Sequence, residues 1–198
     1  MINKETQELI DKIQADMKKD MSEERYTHCV NVMNKCIELA KIHNVDENEA
    51  ALAGMTHDIA KEMPDEEAIK LMQENGWEYD GIEKEMHFLY HQKAGAIIAK
   101  NRYGLNENIQ KAIMYHASTT PDMNDLGKIV FIADKIAEGR EGKMPLIKEY
   151  REAAERNWDE AVLILLDNNI KHLIDKKKKI HPNAILTRNK LLGDTQNN

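Results

Sequence analysis

The chain has 198 residues, 41% of them apolar, and a net charge of −7. That length suits one domain, 1–198 with a core over about 8–185, able to bury roughly 70% of its unfolded surface. An acidic chain without a broad basic face is not expected to bind nucleic acid. No apolar stretch is long enough to span a bilayer, and the polar N-terminus lacks a secretory apolar region. No membrane association and a cytoplasmic location are expected.

Apolar spacing at Leu9, Ile10 and Ile13 predicts a helix over 5–17. Ser22 predicts the cap of a second helix over 23–43, with Arg25 in its first turn and Cys29 and Cys36 on one face. The two cysteines lie about 10 Å apart on that face, too far for a disulfide, and read as core residues of a reducing compartment. Asp46 caps a helix running towards His57. Pro64 starts another, which ends at Asn75-Gly76. Residues 77–82 read as a connector, followed by helices over 88–101, 107–115 and 124–138. Pro121 and Pro145 fall in breaks. The last long helix begins near 158 and closes on Lys176, Lys177, Lys178 and Lys179, a solvated end that complements the helix dipole. The tail 193–198 is expected to fray. No run alternates long enough for a strand, so the class is all-α, a compact helical bundle.

Along this framework stand His28, His57-Asp58, His91, His116 and Asp134. Imidazole and carboxylate are donors that first-row divalent metals prefer, and six exceed the need of one tetrahedral ion. The set suffices for two ions sharing a carboxylate. Taken singly, each histidine is more often a hydrogen-bonded core-edge residue. Asp134 is harder to dismiss, because it sits in the apolar run Ile129-Val130-Phe131-Ile132-Ala133 and an unpaired buried charge is costly. Lys135 points about 100° away on a helix and is expected to be a poor partner for it.

The chain resembles the HD-domain metallohydrolases, and within them the YqeK-type group. The resemblance rests on Arg25-Tyr26-Thr27-His28, Thr56-His57-Asp58-Ile59-Ala60-Lys61, His91-Gln92-Lys93-Ala94-Gly95-Ala96, Tyr115-His116-Ala117-Ser118-Thr119 and Lys128 through Asp134 to Arg140. Two segments depart from the family pattern. Gln92-Lys93 stands where Gly and Pro are usual, and Glu138-Gly139 stands where Pro-Asn usually precedes the arginine.

The resemblance implies an HD-domain bundle with a two-iron centre, although manganese, cobalt, nickel and zinc suit the same donors. His28, His57, Asp58 and Asp134 would hold one ion, and Asp58 would bridge to a second completed by His91 and His116. Such ions lie roughly 3.5–4 Å apart, and a bridging hydroxide would attack phosphorus. The implied substrate is diadenosine tetraphosphate, cut in the middle to two ADP. Asp58, Lys61 and Arg140 would be catalytic. Arg25, Lys61 and Arg140 would bind the phosphates. An ordinary surface ion pair is the competing reading of these three cations.

His87, four residues before His91, competes as a ligand. Thr119 and Thr120 could reach a phosphate, and Tyr26, Tyr90 and Tyr115 read as core rather than as adenine platforms. Two further functions stay open on the metal set alone. One is another HD phosphohydrolase, acting on nucleoside monophosphates or a signalling nucleotide. The other is a non-catalytic metal-binding module. Monomer and homodimer are both compatible with the sequence.

Overall fold

The computed structural model describes residues 1–77, 81–142, 144 and 146–195. Among these it holds ten α-helices and no strand: α1 (Lys4–Asp20), α2 (Glu23–His43), α3 (Glu47–Thr56), α4 (Asp65–Glu74), α5 (Tyr90–Tyr103), α6 (Glu107–Tyr115), α7 (Asp125–Ile136), α8 (Ile147–Arg156), α9 (Trp158–Asp175) and α10 (Pro182–Thr195). Two short 3₁₀ turns, Gly81–Glu85 and His87–Leu89, lead into α5.

Local chemistry sets the helix starts. Asn3, Ser22, Asp46, Asn106, Asn124 and Asn157 each accept a backbone N–H of the first turn through their side chains. Each cap satisfies a donor that the helix itself cannot. At the other ends, Asn44 and Gly104 adopt left-handed backbone conformations, with φ of 56° and 65°, and stop α2 and α5.

Two buried helices organise the rest. Nearly every residue of α7 is buried, and so is every residue of α3 from Ala50 to Thr56. A helix that is apolar all round belongs inside a core. α2 lies along α3 and against α7; α6 joins α5 to α7; α9 backs α7, and α1 covers α3. Small residues permit the closest contact. A Cβ on Gly54 would stand 2.8 Å from both the Cys36 sulfur and the Met33 Cα. Cys29 and Cys36 are free and buried, and burial raises both thiol pKa values.

The expected helix starting near 158 is α9, but it is not the last. α10 follows, with Ala184, Thr187 and Leu191 buried at helical spacing. A stripe with only two apolar members gives a faint periodic signal. α8 was likewise not expected. Its buried face is Tyr150, Ala153 and Ala154, set among lysine, arginine and glutamate. α10 runs through Thr195, and residues 196–198 of the tail expected to fray lie outside the described residues. So do Pro145 and residues 78–80 of the connector expected at 77–82.

Gly54→Ala should destabilise the protein by about 1–3 kcal/mol, the usual cost of forcing a methyl group into a filled contact. The urea midpoint should fall with the slope unchanged. An unaltered midpoint would show that α2 can retreat from α3 without loss.

Candidate metal centre

The six histidines and aspartates singled out from the sequence converge, and they do so from helix ends. His57 caps the C-terminus of α3, His116 caps that of α6, and Asp134 lies in the last turn of α7. His91 is in the first turn of α5, and His28 in the first half of α2. Three helices therefore present their partial negative ends here, where a cation is favoured. After His57 the chain turns in tight steps, with Ile59 N–H donating to the Thr56 carbonyl and Lys61 N–H to that of Asp58. Those turns bring Asp58 round beneath His57.

Asp58 is the centre of the arrangement. Its Oδ2 lies 3.6 Å from His57 Nε2 and 3.8 Å from His28 Nε2. Its Oδ1 lies 3.2 Å from His91 Nε2 and 3.4 Å from His116 Nε2. Each oxygen faces its own pair of imidazoles, so ligand atoms of His28, His57 and Asp58 form one group and those of Asp58, His91 and His116 another, each within 4.8 Å. Asp134 Oδ1 adds to the first group, 3.1 Å from His28 Nε2 and 3.8 Å from His57 Nε2.

The tautomers are set from behind. Nδ1–H of His57, His91 and His116 donates to the carbonyl three residues earlier, at Gly54, Phe88 and Ile113, over 2.8, 2.7 and 2.7 Å. That bond leaves each Nε2 with a lone pair directed into the cluster, the form that binds a metal. His91 Nε2 and His116 Nε2 then stand 3.1 Å apart. Two such lone pairs repel unless a cation lies between them. His57 Nε2 and Asp58 Oδ1 are buried and make no hydrogen bond of proper geometry. Buried polar atoms without partners are costly, and a pair of divalent ions would satisfy these. The donor set fits such ions.

The protonation states agree. Burial lowers the His57 pKa to about 3 and that of His91 to about 4, against the pull of Asp58. Burial would raise the two aspartates, but His57, His116 and His91 around Asp58 hold it well below the usual carboxylate range. Lys135, His28 and His57 do the same for Asp134. Neutral imidazoles with ionised carboxylates are the protonation state that ligation needs.

Cations ring the cluster. Arg25 Nη1 donates to Asp58 Oδ2 over 2.7 Å. Arg140 Nη2 donates to Asp134 Oδ1 over 2.5 Å and lies 3.1 Å from His28 Nε2, while its Nε holds the Asp134 carbonyl. Lys61 Nζ sits 3.2 Å from His91 Nε2 and 4.0 Å from Asp58 Oδ1, and burial lowers its pKa. None of the three is an ordinary surface pair. Lys135 corrects the expectation from helical geometry. Its flexible stem brings Nζ within 2.5 Å of Asp134 Oδ2, although its Cα faces elsewhere.

Gln92 has a role that the sequence did not suggest. It is buried, and its Oε1 accepts from the N–H groups of Ala117 and Ser118 over 2.8 and 3.0 Å. The residue after one histidine thus fastens the residues after another. The competing candidates lie elsewhere. His87 Nδ1–H donates to Asp65 Oδ2 over 2.8 Å, and its ring stacks on Tyr90. Thr119 is buried with φ of 60° and is tied to Thr187 and Asn183 of α10. Tyr90 is buried in a small cluster with Ala60, Ala68 and Ala94, and Tyr26 packs, half-buried, against the main core.

The chain belongs to the HD-domain family, whose model matches residues 25–139. It is 32% identical over 180 residues to the symmetrical bis(5'-nucleosyl)-tetraphosphatase of Bacillus subtilis (strain 168), covering 90% of this chain and 95% of the relative. A protein of the same name from Halalkalibacterium halodurans is 33% identical over 181 residues, covering 89% and 93%. Among solved structures, a predicted HD superfamily hydrolase involved in NAD metabolism from Clostridium acetobutylicum superposes with a TM-score of 0.89 at 37% identity, over 93% of this chain and 97% of that one.

Acid should unfold the metal-free protein early. The folded pKa values of His57 and His91, about 3 and about 4, lie below the unfolded value. The unfolded chain therefore takes up protons first as pH falls. Their contribution is complete above roughly pH 6.5 and is lost below it, by up to about 2.7 kcal/mol per pH unit while both differ. The depressed aspartate values add to the loss in the same direction at lower pH. Urea midpoints of chelated protein at pH 7 and pH 5 measure this; equal midpoints would contradict the burial of neutral imidazoles.

Proposed function

We propose that the chain is a metal-dependent hydrolase that cuts diadenosine tetraphosphate in the middle to give two ADP. The observation that carries this reading is the division of the Asp58 oxygens between two pairs of histidines, with cations around the rim. His28, His57, Asp58 and Asp134 would hold one divalent ion, and Asp58, His91 and His116 a second. The donors are nitrogen and oxygen, which iron, manganese, cobalt, nickel and zinc all accept; iron is our assignment from the family likeness. When bound, paired ions of this kind supply Lewis acidity and lower the pKa of water into the neutral range.

The protein's own part is charge and position. In the symmetrical cut, water oxygen forms a bond to one inner phosphorus, and the bond from that phosphorus to the central bridging oxygen breaks. The departing ADP ends in a phosphate with a pKa near 6, so it needs neutralised charge more than a proton. Lys61 and Arg140 stand on opposite sides of the cluster, one beside His91 and the other beside His28. They would take phosphate oxygens on either side of the scissile bond, Lys61 as a point charge and Arg140 through its planar fork. Arg25 would hold Asp58 ionised and offer its remaining N–H groups to the next phosphate. No helix among the described residues is long and apolar enough to cross a membrane, which suits a freely diffusing nucleotide substrate in the cytoplasm.

Lys61→Ala and Arg140→Ala should retain the metals and the helical content yet lose roughly ten- to a hundredfold in rate, the value of one charge-assisted contact. The loss should shrink on substrates with fewer phosphates. Steady-state rates and product analysis across a phosphate-length series provide the check. Two variants that match the parent on every substrate would reduce these residues to structural ion pairs, and products other than ADP would overturn the symmetrical cut.

A further inference from the structure

A cavity of about 570 Å³ opens beside the metal cluster. That size lies within the roughly 300–1,000 Å³ of small-molecule sites. Its walls adjoin the cluster in the chain. Ala117 and Ser118 follow His116, Phe131 lies one turn before Asp134, and Phe88 and Leu89 lead into His91. Lys135 lines the cavity and also pairs with Asp134, so it stands at the junction of the two.

The lining combines flat apolar surface with polar edges. Phe131, Tyr150 and Leu146 supply the first, and Asn168 and Ser118 the second. A nucleoside has the same division, two apolar faces on the base and polar atoms at its rim and on the sugar. Phe88 is the unusual member. It is 62% exposed although it is a large aromatic, and it stands on the wall of this cavity. Its own carbonyl accepts the Nδ1–H of His91. Its side chain is left largely open on the cavity side, and a base stacked on it would cover it.

We propose that this cavity receives one nucleoside of the substrate, with Phe88 as the stacking platform for the base and Lys135 meeting the first phosphate on the way to the metals. The assignment rests on the hydrolase reading above and adds a specificity-determining residue to it. Stacking on an aromatic side chain is sequence-tolerant for bases, so Phe88 would favour any nucleoside over none. Discrimination among bases would fall to the polar edge.

Calorimetric binding of ADP and of inorganic pyrophosphate to the metal-loaded protein separates the nucleoside from the phosphates. Phe88→Ala should weaken ADP about ten- to a hundredfold, the worth of one stacked base. It should leave pyrophosphate affinity and metal content as in the parent, and Phe88→Trp should restore ADP affinity. Unchanged ADP affinity in Phe88→Ala, or no ADP binding by the parent, would overturn the proposal. Equal losses for ADP and pyrophosphate would also overturn it, since Phe88 would then act through the backbone behind His91. The outcomes separate from those for the reaction. A protein that cleaves diadenosine tetraphosphate with the same KM in Phe88→Ala would keep its function and lose this site. One that binds ADP through Phe88 without cleaving the tetraphosphate would keep the site and lose the function.

Discussion

One carboxylate placed between two pairs of imidazoles is the constraint from which the rest of the structure follows. Asp58 is almost completely buried, and among the described residues it is the one that both groups of donors share. A buried carboxylate needs compensation from every side. It receives Arg25 at one oxygen and imidazoles at both. The imidazoles are in turn aimed by backbone carbonyls at helix ends, so moving any of α3, α5 or α6 along its axis would rotate a ligand out of the cluster. The tight α2–α3 contact at Gly54 belongs to the same chain of dependence, because the Gly54 carbonyl accepts the Nδ1–H of His57.

The surrounding cations have two consequences. Arg25, Arg140 and Lys135 pair directly with the buried carboxylates, and they give an acidic protein a local basic rim. A net charge of −7 would repel a polyanion at long range. Attraction must therefore come from groups within a few ångströms of the site, and all three of these cations touch a ligand carboxylate directly. The donors that would bind metal and the cations that would meet phosphate are thus different side chains joined by ion pairs, and a substitution in the rim is expected to act on substrate more than on ligation.

Much of this was legible in the sequence. Polar caps mark the starts of α2 and α3 because Ser22 and Asp46 satisfy first-turn donors wherever a helix follows. The six metal-binding candidates could be listed because a buried charge such as Asp134 advertises a partner. What escaped depended on side-chain reach or on weak periodicity. Lys135 faces away by helical phase and still pairs with Asp134, since four methylenes span the difference. In the sequence Gln92 stands only as a departure from a family pattern, whereas in the fold its carboxamide holds the residues after His116. α10 announces itself by two buried apolar residues, too few for a periodic signal, yet it secures the strained Thr119.

The central claim is that Asp58 serves two metal ions at once, and elemental analysis of Asp58→Ala beside the parent tests it most directly. The account predicts close to two transition-metal ions per parent chain and the loss of most of both in the variant, with helical content retained. A full pair of ions in folded Asp58→Ala would contradict the shared carboxylate. Loss of only one ion would confine Asp58 to a single site.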